Sequence, residues 1–204
     1  MRMKQSAFLA WIFRMPLIKR WGLMHCTKPE NVAEHSHQVA VIAHILCVIK
    51  KERYGGTLDP EKAATLAIFH EVSETKLQDQ NHVVKYHNPE FTKQYKKLEL
   101  LAEQECLDTL PDDLKDHYAD LVIQNNVDPD YRQILKASDT LSAYLKALDE
   151  QKFGNVEFDY VRKNIEQKLI LLKQDLPEVN DFLNVFAESC LASIDELSSG
   201  TEPA

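Results

Sequence analysis

Apolar residues recur at intervals of three and four along most of the chain, while the strict alternation of a half-buried strand is almost absent. Each stripe follows an Asx or proline start signal, so the pattern predicts an all-α protein. Asn31-Val32-Ala33-Glu34 has the form of a capping box, and the stripe beyond it, His35, Val39, Ile42, Leu46 and Ile49, turns His35 toward the core. Asp59-Pro60-Glu61 opens a second helix whose inner row, Ala63, Ala67, His70 and Glu74, advances by four, three and four residues. His70 and Glu74 are therefore expected on one face, with Glu71 about 100° around the helix from His70. Residues 76–86 show no period and read as a loop.

Asn88-Pro89-Glu90 starts a long helix through Tyr95, Leu98, Leu101 and Ala102, which Leu110-Pro111-Asp112 separates from a shorter one bearing Leu114, Tyr118, Leu121 and Val122. Asp128-Pro129-Asp130 opens a helix with the inner stripe Tyr131, Ile134, Leu135, Ser138, Leu141, Ser142 and Leu145, and Asp139 borders that stripe. Phe153-Gly154-Asn155 ends it. Two amphipathic segments follow, Phe158 to Leu172 and Val179 to Ile194, before a frayed tail from Ser198. The sum is seven or so helices in a single-domain bundle spanning residues 1–197, with 198–204 outside it.

A length of 204 residues suits one domain with a sizeable core. The net charge of -8 excludes a basic groove for duplex nucleic acid, whose affinity rests on Lys and Arg neutralising phosphates. Cys26, Cys47, Cys106 and Cys190 have no CxxC spacing and read as reduced thiols of a cytoplasmic protein. Met1-Arg2-Met3-Lys4 ahead of Phe8 to Phe13 imitates a signal peptide, yet Arg14 interrupts the run and no small-residue cleavage site follows, so the segment is read as an amphipathic helix. No stretch approaches the roughly 18 consecutive apolar residues of a membrane span, and no membrane partner is expected.

Inward-facing His35, His70 and Asp139 are costly to bury, because an uncompensated charge in an apolar setting loses several kcal/mol of hydration. One divalent ion, shared with Glu71, compensates all of them at once. Two imidazoles and two carboxylates suit Zn, Mn, Fe or Co with positions left open for water and substrate. Such an ion polarises a phosphoryl oxygen and acidifies water, and Glu74 is spaced to carry a proton. His70-Glu71-Val72-Ser73-Glu74 lacks the second histidine of a zinc-protease helix, since Glu74 occupies that place.

The order His35, His70-Glu71, Asp139 resembles the H...HD...D pattern of the HD-domain phosphohydrolases, an all-helical family. Lys19-Arg20-Trp21, Asn31 to Ser36, His70 to Glu74, Val84-Lys85-Tyr86 and Lys136 to Lys146 are similar to segments of the bacterial HD-domain 5'-deoxynucleotidases, and the likeness runs from about Met3 to Ile194. The resemblance implies removal of phosphate from deoxyribonucleoside 5'-monophosphates, one divalent ion (Co, Mn, Zn or similar) and a homodimer. Carried over by position, the metal ligands are His35, His70, Glu71 and Asp139, and the catalytic acid is Glu74. Arg20 orients the phosphate and Trp21 meets the sugar. Asp79 is the one residue kept from the family's Gly-Asp-Leu-Pro-like loop, here Gln78-Asp79-Gln80-Asn81, and is taken as catalytic and substrate-binding. Glu71 stands where the family has Asp, which leaves open an alternative in which metal or nucleotide is bound with little turnover. His82 and His87, in or beside the altered loop, are candidate replacement ligands, and a purely helical interaction protein is the third reading.

Overall fold

The computed structural model describes residues 5–199, so the basic residues of Met1 to Lys4 and the tail beyond Ser199 lie outside it. Eleven α-helical segments and no strand occur among the described residues. α1 (Phe8–Ile12) leads into a 3-10 turn at Met15–Leu17, followed by an irregular stretch to α2 (Val32–Tyr54). Then come α3 (Pro60–Phe69), α4 (Glu74–Leu77), α5 (His82–Lys85), α6 (Pro89–Leu107) and α7 (Asp112–Val122). The chain closes with α8 (Pro129–Lys152), α9 (Phe158–Asp175), α10 (Pro177–Phe182) and α11 (Ile194–Ser199).

The start signals act as the sequence predicts. Asn31 and Glu34 form a reciprocal capping box on α2, and Asp59, Asn88 and Asp128 cap α3, α6 and α8 with proline in the first turn. Every residue of the expected α2 stripe is buried, His35 completely. α2 is long and apolar enough to match a bilayer span, but here it is the central core helix, packed by α3, α8 and α10. Its buried face meets Ala63, Leu66 and Ala67 of α3, Ile134, Leu135 and Leu141 of α8, and Val179 and Phe182 of α10 in the main core.

A second, smaller core gathers Phe8 of α1, Cys106 and Leu107 of α6, Leu110, Val122 and Ile123 around Val72. Val72 explains the first departure from the sequence pattern. α3 ends at Phe69, and the turn that buries Val72 tightens to three residues per turn, with His70 N–H to Ala67 O at 3.5 Å, Val72 to Phe69 at 3.2 Å and Glu74 to Glu71 at 3.0 Å. His70 and Glu74 therefore do not belong to one continuous helix. Residues three apart eclipse in such a turn, so Glu71 and Glu74 stand in line.

Other expectations also need correction. The supposed loop 76–86 contains the end of α4 and the whole of α5. Leu98 and Leu101 of α6 and Leu114 of α7 face out, because α6 packs through Tyr95, Ala102, Cys106 and Leu107 instead. The stripe from Val179 to Ile194 is not one helix. A π-helical turn at Leu183–Ala187 and a 3-10 turn at Ser189–Leu191 interrupt it, leaving Cys190 and Ile194 exposed. Ser198 and Ser199 form the end of α11, and the rest of the tail read as frayed, 200–204, lies outside the described residues.

Gln78 has φ 62° and ψ 166°, a conformation that is almost glycine's alone, at the position where the resembled family carries Gly. A side chain held there costs about 1–3 kcal/mol. Gln78→Gly is expected to raise the melting temperature by about 2–4 °C for each kcal/mol released, as read by calorimetry. An unchanged or lower midpoint would show that the backbone is not strained at this residue.

Candidate active site

Three elements meet at the candidate centre. The first turn of α2 contributes His35, the tight turn after α3 contributes His70 and Glu71, and mid-α8 contributes Asp139. Each offers a ligand atom, and all four atoms lie within 4.8 Å of one another. His35 Nε2 is 3.1 Å from Asp139 Oδ1, and His70 Nε2 is 3.4 Å from Glu71 Oε1. Ligand atoms about 2.1 Å from a shared ion are separated by roughly 3–4 Å, so these spacings fit a single cation.

The unused donors point the same way. His70 Nδ1 bonds the Ala67 carbonyl at 2.6 Å, and His35 Nδ1 faces Ser142 Oγ at 3.3 Å. With both Nδ1 atoms engaged, each ring presents Nε2 inward, and both Nε2 atoms are buried without a hydrogen-bond partner. The donor set thus fits a divalent metal. Burial, with Arg20 nearby, lowers the His35 pKa against the pull of Asp139, which favours the neutral, ligating imidazole. For Asp139 desolvation is the largest influence and acts upward, but the close approach of His35, with Arg20 and His70 nearby, holds it below the ordinary carboxylate range. Its side chain still keeps 43% of its surface open, so the centre has a mouth.

Ser142 is a residue to which the sequence pattern assigned no task beyond packing. It is buried, receives His35 Nδ1, and donates to Gln38 Oε1 at 3.1 Å, so Gln38 orients Ser142 and Ser142 orients the ring. Outer partners of metal-binding histidines typically account for 10–100-fold in affinity. Ser142→Ala is accordingly expected to weaken metal binding by about 10–100-fold in a chelator competition, with the fold retained. Unaltered affinity would reject that role.

Glu74 is buried beside this cluster, and its Oε2 has no partner. Desolvation first, then the charges of Glu71 and Asp79, push its pKa up to about 10. Its surroundings thus favour the protonated carboxyl. Asp79 is also raised, chiefly by burial, although Arg20 and a hydrogen bond from the Trp21 backbone pull the other way. The altered loop packs against the arginine loop, since Asn81 Nδ2 donates to Gly22 O at 3.0 Å while Asn81 Oδ1 caps α5. His82 and His87 are exposed and lie outside the donor group, so neither replaces a ligand.

Arg20 and Trp21 sit on the irregular stretch before α2. An isolated antiparallel bridge pairs Lys19 with Asn31, Trp21 adopts φ 61°, and the Arg20 guanidinium lies 5.4 Å from the Trp21 ring. Farther on, buried Glu150 of α8 ties the stretch down by accepting from Thr27 N at 2.8 Å, Thr27 Oγ1 at 2.6 Å, Lys28 N at 3.1 Å and Lys146 Nζ at 2.5 Å. Burial lowers and Glu30, Asp139, Glu71 and Asp79 raise the Arg20 pKa, and the carboxylates win, so the guanidinium stays charged. Arg20 thus keeps a fixed positive charge among four carboxylates, and a dication held by His35, His70, Glu71 and Asp139 would offset those acids and suit the site to an anionic ligand.

A family profile described as 5'-deoxynucleotidase YfbR-like matches residues 7–190. A 5'-deoxynucleotidase of Vibrio parahaemolyticus is 44% identical over 196 residues, covering 96% of this chain and 100% of its own. One of Shewanella oneidensis is 44% identical over 193 residues, covering 95% and 98%. Among solved structures, an HD-domain phosphohydrolase of Listeria innocua superposes with a TM-score of 0.78 at 19% identity, over 95% of both chains. The HD phosphohydrolase DatZ of cyanophage S-2L, bound to dA and one catalytic zinc ion, superposes with a TM-score of 0.61 at 19% identity, over 94% of this chain and 98% of its own.

Proposed function

The chain belongs to the YfbR-like 5'-deoxynucleotidase family, and from that premise we propose that it releases phosphate from deoxyribonucleoside 5'-monophosphates with one divalent ion held by His35, His70, Glu71 and Asp139. The carrying observation is the pair of buried, unpartnered Nε2 atoms facing two carboxylates at metal-ligand spacing. The ion supplies Lewis-acid polarisation of the phosphate and acidification of water. Arg20 grips non-bridging phosphate oxygens through its planar fork and restrains the phosphorus for in-line attack. Trp21 meets the deoxyribose. Glu74 delivers its proton to the departing 5'-oxygen, which would otherwise leave as an alkoxide. Asp79 shares the pocket with Arg20 and helps keep Glu74 protonated through its charge.

Cobalt, manganese and zinc are the ions to try, zinc because the cyanophage protein holds it. Four free thiols are compatible with the reducing cytoplasm, where nucleoside monophosphates are also found. A homodimer is supported by Phe91, Leu98 and Leu101, which share one open face of α6 at helical spacing. Residues 1–197 are read as one domain because α2 and α8 join the main core throughout.

Protein stripped of metal and reloaded with Co, Mn or Zn should liberate phosphate from deoxyribonucleoside monophosphates. The stripped form should be silent. Silence with every ion would reject the proposal.

A further inference from the structure

Glu30 precedes the capping box and has no function in the sequence pattern, yet it is only 7% exposed. Burying a carboxylate this far costs several kcal/mol unless partners compensate. Its partners are the two residues assigned to the substrate. Glu30 Oε2 accepts the Trp21 indole N–H at 2.5 Å, and Glu30 Oε1 lies 3.5 Å from Arg20 Nη1. The backbone repeats the link, since Arg20 N–H donates to Glu30 O at 3.0 Å and Val32 N–H to Ile18 O at 3.0 Å. Glu30 Oε1 is also 3.9 Å from His35 Nδ1, beyond a direct hydrogen bond.

We infer that Glu30 is the positioning residue of the phosphate and sugar pocket, holding Arg20 and Trp21 in their substrate-ready arrangement through one carboxylate. The two oxygens divide the work. Oε2 locks the indole, which the left-handed backbone at Trp21 has already turned back toward α2. Oε1 aligns the guanidinium by charge, yet neither Oε1 nor Arg20 Nη1 completes a hydrogen bond, and both atoms are buried. A purely structural ion pair would spend that donor. Here the 3.5 Å approach aligns the guanidinium by charge without capturing it in a hydrogen bond, so the fork is held but not consumed. The arrangement also sets the indole N–H apart from substrate, so Trp21 offers its ring to the sugar rather than its donor.

This inference rests on the proposed nucleotidase reading, and the test separates the two. In metal-loaded enzyme, Glu30→Gln keeps an acceptor for the indole and removes the charge facing Arg20. KM for a deoxyribonucleoside monophosphate and Ki for inorganic phosphate should each rise about 10-fold. kcat should stay within about threefold, with metal stoichiometry and melting temperature unchanged, because no group at the reacting atoms is altered. In a Trp11→Phe background Trp21 is the sole tryptophan. There Glu30→Gln should preserve the emission spectrum, while Glu30→Val, which frees the indole N–H, should shift it. If Glu30→Val does not fold, Glu30→Asp serves, since its shortened reach loosens both contacts. KM and Ki at wild-type values in Glu30→Gln would overturn the assignment, as would a loss of kcat together with bound metal, which would move the role to His35. Should the wild type prove inactive, direct calorimetry of inorganic phosphate binding still judges Glu30 while the nucleotidase reading alone falls.

Discussion

Glu74→Gln is expected to lower kcat by about 10²–10⁴, the range that a positioned proton donor supplies, while bound metal and fold persist. Gln retains the shape and the hydrogen-bonding capacity of a protonated carboxyl but cannot surrender a proton. The residue is suited to donation because desolvation and the charges of Glu71 and Asp79 keep it protonated, and because Oε2 is committed to nothing else. An activated substrate isolates that role. With p-nitrophenyl phosphate the leaving group needs no proton, so the Gln variant should recover most of its deficit there. Equal loss on both substrates would mean that Glu74 serves attack rather than departure, and metal lost in parallel would make it a ligand.

Glu71→Ala is expected to reduce metal affinity by at least about 100-fold and activity with it, because it removes a charged donor and leaves a dication facing one carboxylate. Glu71→Asp is the more informative change. The HD pattern that the sequence resembles has Asp there, but Glu71 Oε1 already reaches 3.4 Å from His70 Nε2 and shares the donor group. Shortening the side chain withdraws the carboxylate by about 1.5 Å, one C–C bond, from a set whose other members stay put. About tenfold weaker binding is therefore expected in metal titrations, with kcat/KM falling at limiting metal. A clear gain on restoring Asp would show instead that the longer side chain is a defect.

The legible part of this molecule was whatever repeats or punctuates. Caps at Asn31, Asp59, Asn88 and Asp128 announced four helices, and the period of α2 and α8 buried His35 and brought Asp139 to the core edge. His35, His70, Glu71 and Asp139 come together with four ligand-capable atoms within 4.8 Å of one another. What escaped depends on contacts between segments far apart in sequence. Periodicity carried α3 through to Glu74, whereas α3 ends at Phe69 and a tight turn follows that buries Val72 in the smaller core. Nothing local distinguished Leu98 from an inward leucine, because only the partner helices decide which face of α6 is covered. Glu30 escaped for a similar reason. Its meaning lies in Arg20 and Trp21, ten and nine residues away across an irregular stretch with no period to read.

Val72 sits between Glu71 and Ser73 as the peg that fixes the tight turn, and it is driven into a pocket whose walls include Phe8 at the start of the described chain. Short terminal helices open with little free energy compared with a central bundle. When α1 peels off, the peg loses its socket and the carboxylates of Glu71 and Glu74 lose their aim, although α2, α8 and α10 remain clasped. Activity is therefore expected to fade on warming at a temperature below the calorimetric midpoint.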